Sequence, residues 1–213
     1  MRDRLRKIPY GVYKMIFNVY AAELPEKYNQ SKTKWNDNGL NVIVIRCNDI
    51  YVTNDMKRNN DWLILFFRGL EYIFQCTADP KYRRNKIANL CEQVYFGNIR
   101  SHNFVFGRDA ICQDNCKVFV RRYINKEWYE ESGYFHINIH NANGFFNSSL
   151  GCVILADEKR FISTFRPLLR EAKKVSNKIP VAVLNIEWLE MKAEAYNGHD
   201  KTINPEAKEG IIT

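Results

Sequence analysis

Apolar positions near the start of the chain recur at helical intervals. Leu5, Ile8, Val12, Ile16 and Val19 fall three or four residues apart, the period of one helix face. Pro9-Tyr10-Gly11 interrupts the run, so the expected helix covers about residues 12–24. The stretch Pro25–Lys34 is polar and reads as a linker. From Gly39 the pattern changes to strands. Asn41–Arg46 is apolar and β-branched. Asp61–Phe67 and Glu71–Cys76 flank Arg68-Gly69 and predict a hairpin. Thr77-Ala-Asp-Pro80 should end it, because proline breaks the ladder. Residues 81–92 are basic and irregular, with room for one helical turn. Gln93–Phe96, His102–Phe106 and Lys117–Tyr123 are further strand candidates, and Asn125–Ser132 reads as a polar hairpin loop. Gly133–His140 is the next expected strand, with His136, Asn138 and His140 on one face. Val153–Leu155 should enter the core. Asp157 then caps a helix to about Val175, with Phe161, Phe165, Leu168 and Leu169 on one side and a kink or a break at Pro167. Pro180–Ile186 is the last expected strand, and the tail from Lys192 is polar and expected to be poorly ordered. The pattern divides the chain into a helical extension and linker (1–36), a mainly β domain (37–190) and a polar tail (191–213).

The chain has 213 residues, of which 46% are hydrophobic and 14% aromatic, enough for one sizeable core. No apolar run approaches the roughly 20 residues that span a bilayer, so no transmembrane segment is expected. The basic start, Met1–Lys7, is not followed by an apolar stretch and cleavage site, so no secretory signal is expected. A net charge of +8 favours anionic partners. The basic residues are scattered, however, and no nucleic-acid partner is expected. Six cysteines occur without a CxxC pair and without zinc-ligand spacing, so no metal or cofactor is expected. Cys112 and Cys116 are close enough in sequence for a local disulfide, but the missing signal favours free thiols.

The chemistry concentrates in Gly133–Cys152, where a strand delivers His140 and a Ser149-Leu-Gly-Cys152 turn delivers a thiol. Three readings compete. In the first, His140 takes the proton of Cys152, and the thiolate attacks a carbonyl held by backbone N–H groups near Gly151. In the second, His136 and His140 hold a metal. On a strand they would lie roughly 13 Å apart, which argues against it. In the third, Cys152 is an ordinary buried cysteine.

Ile137-Asn-Ile-His140 followed by Ser149-Leu-Gly-Cys152 resembles the catalytic core of the YkuD-type L,D-transpeptidase superfamily, in its phage-like branch. Gly39-Leu-Asn-Val-Ile-Val-Ile-Arg46, Asn60–Phe66 and Thr77-Ala-Asp-Pro80 resemble earlier segments of that branch, in the same order. The resemblance implies a mainly β fold, a β-sandwich or barrel, with an N-terminal helix and one helix after the cysteine. It implies Cys152 as nucleophile, His140 as base, and Ser149 and Gly151 shaping the turn and oxyanion site. A backbone carbonyl near Asn141 would orient the imidazole. His136, Asn138, Asn141, His102, Arg121 and Arg122 are candidates for lining the substrate site. The implied substrate is a peptidoglycan stem peptide, with an amine acceptor giving a cross-link and water giving hydrolysis. The protein would be made in the cytoplasm and act at the cell wall by a non-classical or phage-like route. Leu150 stands where the family usually has histidine, and Asn141 where it usually has glycine, which leaves hydrolysis as well placed as cross-linking. The alternative is a non-catalytic wall-binding or structural component of a phage-like particle.

Overall fold

A computed structural model describes residues 2–47, 61–78, 88–101, 109–125, 127–141 and 152–203. The chain begins with α1 (Arg2–Leu5), α2 (Tyr10–Glu23) and a 3-10 turn at Glu26–Asn29. The strands follow as β1 (Asn41–Arg46), β2 (Asp61–Phe67), β3 (Leu70–Thr77), β4 (Asn89–Leu90), β5 (Gln93–Ser101) and β6 (Asp109–Gln113). Then come β7 (Val118–Ile124), β8 (Glu127–Gly133), β9 (Asn138–Asn141) and β10 (Val153–Leu155). The helical segment α3 (Glu158–Arg160), a π-helical turn (Phe161–Phe165) and α4 (Arg166–Val175) lead to β11 (Lys178–Asn185) and α5 (Ile186–Ile203).

The fold is mainly β. Eight strands close a barrel in the order β1-β11-β5-β6-β9-β10-β3-β2, and β4-β7-β8 form a separate sheet. Closure leaves the barrel without an unpaired edge. Two neighbouring pairs, β1 with β11 and β9 with β10, run parallel; the other barrel pairs are antiparallel.

Alternation along the strands builds two cores. Val42, Val44, Leu63, Leu65, Phe74, Ile111, Ile139, Val153, Val181 and Val183 fill one side, joined by Phe161, Phe165, Leu168 and Leu169 of the helical segment. Ile43, Ile45, Ile64, Phe66, Ala182 and Leu184 point the other way, against Leu5, Val12, Tyr13, Ile16 and Phe17 of α1 and α2 and Leu189 of α5. β1 is therefore buried at every position, which is why it reads as a continuous apolar run. Tyr20 of α2 fastens the helix by donating its hydroxyl to the Val183 carbonyl at 2.7 Å. The N-terminal helix thus completes the outer core.

Several local expectations meet the structure directly. The β2–β3 hairpin turns through Arg68 (φ 52°) and Gly69 (φ 74°), both left-handed, as a tight two-residue turn requires. Asp157 caps α3 by accepting the Arg160 N–H at 3.0 Å. Before Pro167 the backbone widens into the π turn, with Arg166 N–H bonded to the Phe161 carbonyl. Proline has no N–H to continue the α ladder, and the wider turn absorbs that break without ending the helical path.

Other expectations are corrected. Glu127–Gly133 is strand β8, not a loop; its side chains are polar because its faces are largely exposed. The tail from Lys192 continues as helix α5 to Ile203, with Ala193 buried against the outer core, while its remainder, 204–213, lies outside the described residues. Asp109–Gln113 forms β6, a strand the polar Cys112–Cys116 stretch concealed. The expected strand His102–Phe106 and the stretch of Pro80 lie outside the described residues. Cys112 and Cys116, by contrast, are free thiols, as the sequence reading favoured.

Candidate active site

The site begins with the pairing of β9 and β10. Their parallel register sets Ile139 opposite Val153, His140 opposite Ile154 and Asn141 opposite Leu155. Ile139, Val153 and Leu155 belong to the inner core. Period-2 alternation then turns His140 and Ile154 outward. Cys152 immediately precedes Val153, just outside β10 and beside the parallel pair that carries His140. Asn138 shares the outward face, and so does Cys112, opposite Asn138 on β6. This part of the outer face is buried: Asn138 is 7% exposed, His140 6% and Ile154 1%.

The imidazole of His140 is held by its own strand. Nδ1 lies 2.6 Å from the carbonyl oxygen of Asn141. A carbonyl only accepts, so Nδ1 carries the hydrogen and the lone pair of the neutral ring sits on Nε2. That tautomer is the one a base needs. Asn141 contributes through its backbone, and its side chain is half-buried.

Cys152 is half-buried, and its Sγ–H donates to the carbonyl of His136 at 3.9 Å. His136 does not lie on the strand as expected. Residues 134–137 are irregular, β9 starts at Asn138, and His136 takes the left-handed conformation with φ 55°. The kink breaks the alternation, so His136 does not share a face with Asn138 and His140; its side chain is exposed. What His136 brings to the cysteine is its main-chain oxygen.

The loop is fixed from β6. Gln113 accepts the N–H groups of Phe135 (3.0 Å) and Ile137 (3.3 Å) on Oε1, and donates from Nε2 to the carbonyls of Gly133 (2.9 Å) and Cys116 (2.7 Å). Sequence reasoning missed this residue. Its only signal is a glutamine directly after the apolar Ala110-Ile-Cys run.

The neighbouring titratable groups are held neutral. Burial pushes the Cys112 thiol up, and burial likewise raises the Tyr95 phenol, with Cys116, Cys152 and Cys112 adding to it in that order. Elsewhere burial pushes Cys47 to about 12 and Cys91 to about 11.

Arg121 and Arg122 sit on β7 in the small sheet. Arg121 is 3.7 Å from Glu130, and Arg122 is ion-paired with Glu131. The Arg122 guanidinium also stacks 5.2 Å over the Phe135 ring, beside the His136 kink. Both arginines brace the β7–β8 ladder. Ser149, Gly151 and His102 lie outside the described residues. Among the described residues, no three His, Cys, Asp or Glu side chains converge as a metal site. No helix among them is long and apolar enough to cross a membrane.

No known protein-family model matches the chain, and no curated protein matches it.

Proposed function

We propose that the protein is a cysteine-dependent acyltransferase or peptidase of the L,D-transpeptidase type, acting on peptidoglycan stem peptides at the cell wall. The observation that carries this reading is the His140–Asn141 contact, which leaves Nε2 as the basic nitrogen on the strand that pairs with β10, directly after Cys152. The order of the four segments that resemble the phage-like branch supplies the substrate class.

The chemistry runs in two halves. His140 Nε2 takes the Sγ proton, and the thiolate attacks the carbonyl carbon of an L-residue joined to a D-residue. The resulting oxyanion collapses, the C–N bond breaks, and the departing amine takes the proton back from Nε2. A thioester on Cys152 is left. An acceptor amine or water then gives its proton to His140, attacks the thioester and releases the thiol. An amine makes a cross-link, whereas water makes a shortened stem.

Defined muropeptides, incubated with the protein and resolved by mass, test this. A shortened or cross-linked stem is expected, together with an acyl adduct on Cys152 after a carbapenem, lost in Cys152→Ala. Unchanged muropeptides and an unmodified Cys152 would reject it and favour a non-catalytic wall component.

A further inference from the structure

Two buried glutamines clamp backbone in this fold, and they make an informative pair. Gln93, 1% exposed, donates to the carbonyls of Cys91 and Phe119 and accepts the Phe119 N–H, tying β5 to the small sheet. Gln113, 4% exposed, spends its side chain on residues 133–137 and Cys116. Its main-chain N–H adds a bond to the Ile137 carbonyl at 2.7 Å. Bonds therefore reach the residues on both sides of His136.

His136 needs such a clamp. A non-glycine residue in the left-handed region costs on the order of 1–3 kcal/mol and persists where its surroundings over-determine it. The kink presents the His136 carbonyl to the Cys152 thiol at 3.9 Å. We propose that Gln113 is a positioning residue for the nucleophile: by fixing the His136 kink it aims a carbonyl at Cys152 that parks the thiol in one orientation. The inference rests on the reading of Cys152 as the reactive thiol.

The contact has a definite electrostatic sense. A carbonyl oxygen accepts from a thiol but repels a thiolate. The contact therefore suits the thiol, and once His140 takes the proton the charged sulfur is driven off the His136 oxygen. Among the described residues Cys112 on β6 and Tyr95 on β5 interact with Cys152, and burial favours the neutral forms of both; His140 lies on β9, the strand beside β10. Release of the clamp therefore removes a contact that suits the thiol but not the thiolate.

The test is the pH profile of iodoacetamide modification at Cys152, followed by peptide mass, on the full chain. Gln113→Met is expected to shift the midpoint down by about half a pH unit or more, a roughly threefold gain in thiolate at a pH below the midpoint. Gln93→Met serves as the comparison: it removes an equally buried clamp and should lose stability while keeping the wild-type midpoint. His136→Gly keeps the carbonyl and tolerates the left-handed φ, so its midpoint should also stay. A Gln113→Met profile that superimposes on wild type overturns the proposal. So does a His136→Gly shift as large as that of Gln113→Met, which would assign the effect to the imidazole. Gln113→Asn, one methylene shorter, gives the same reading if the Met variant does not fold. If neither folds, Gln113 is a folding determinant and the positioning role is rejected. A wild-type Cys152 that iodoacetamide leaves unmodified instead defeats the functional reading itself.

Discussion

His140 Nδ1 and the carbonyl oxygen of Asn141 lie 2.6 Å apart, so a residue and its immediate successor settle which ring nitrogen is basic. His140→Gln removes the basic nitrogen while keeping an amide that can donate to the Asn141 carbonyl. Turnover of muropeptides should fall about 10²- to 10⁴-fold at neutral pH, the usual contribution of a positioned base. Thermal unfolding should change little by comparison. A variant with wild-type turnover would remove His140 from the mechanism.

Alkaline pH should destabilise the fold early. Burial raises the phenols of Tyr13, Tyr20 and Tyr95 and the thiols of Cys47 and Cys91. Above the unfolded values, roughly 8.5 for Cys and 10 for Tyr, the unfolded chain has shed protons that the folded chain keeps. Stability is thus full below those values and falls as pH rises towards the folded ones. Each buried tyrosine contributes a slope of up to about 1.4 kcal/mol per pH unit. Urea unfolding from pH 7.5 to 10.5 checks this; a flat midpoint contradicts it.

The N-terminal helix should be inseparable from the barrel. Deletion of residues 1–24 uncovers Ile43, Ile45, Ile64 and Phe66, and the remainder is expected to aggregate or lose cooperative unfolding. Tyr20→Phe is the mild version: losing the bond to Val183 should cost about 1 kcal/mol by denaturant titration. A truncated chain that melts cooperatively at the wild-type temperature would show the helix to be an appendage.

Phe165 joins the π turn to the inner core. It is fully buried, stacks on Phe161 with centroids 5.2 Å apart and meets Phe74 edge-on at 5.7 Å. Phe165→Ala should cost about 3–5 kcal/mol. A loss below about 1 kcal/mol would mean the helical segment does not depend on this anchor.

The strands that carry the barrel were largely legible, because Asn41–Arg46, Asp61–Phe67 and Pro180–Ile186 are apolar runs with two covered faces. The Arg68-Gly69 turn and the Asp157 cap were legible for the same local reason: each geometry needs particular residue types. β8 was not, since a strand exposed on its faces shows no apolar alternation and Glu127–Gly133 resembles a loop. The tail's helix was hidden similarly, its contacts being few and its composition polar. In the site, the spacing anticipated that His140 and the residues after Cys152 would lie on neighbouring strands, but not the His136 kink. Histidine takes the left-handed conformation more readily than most residues, but nothing nearby in sequence demands it; the bonds that hold it come from Gln113, which only the tertiary fold brings there.

The small sheet ends on β8, and Glu127, Glu130 and Glu131 crowd that strand. Within the chain Glu130 meets Lys27 and Arg121, Glu131 meets Arg122, and Glu127 accepts the Tyr129 hydroxyl. Among the described residues β8 is paired on one side only, and these carboxylates flank its other edge. Two copies meeting edge to edge would set glutamate against glutamate before any ladder could form, so the same charges that brace the hairpin also guard the protein against polymerising through it.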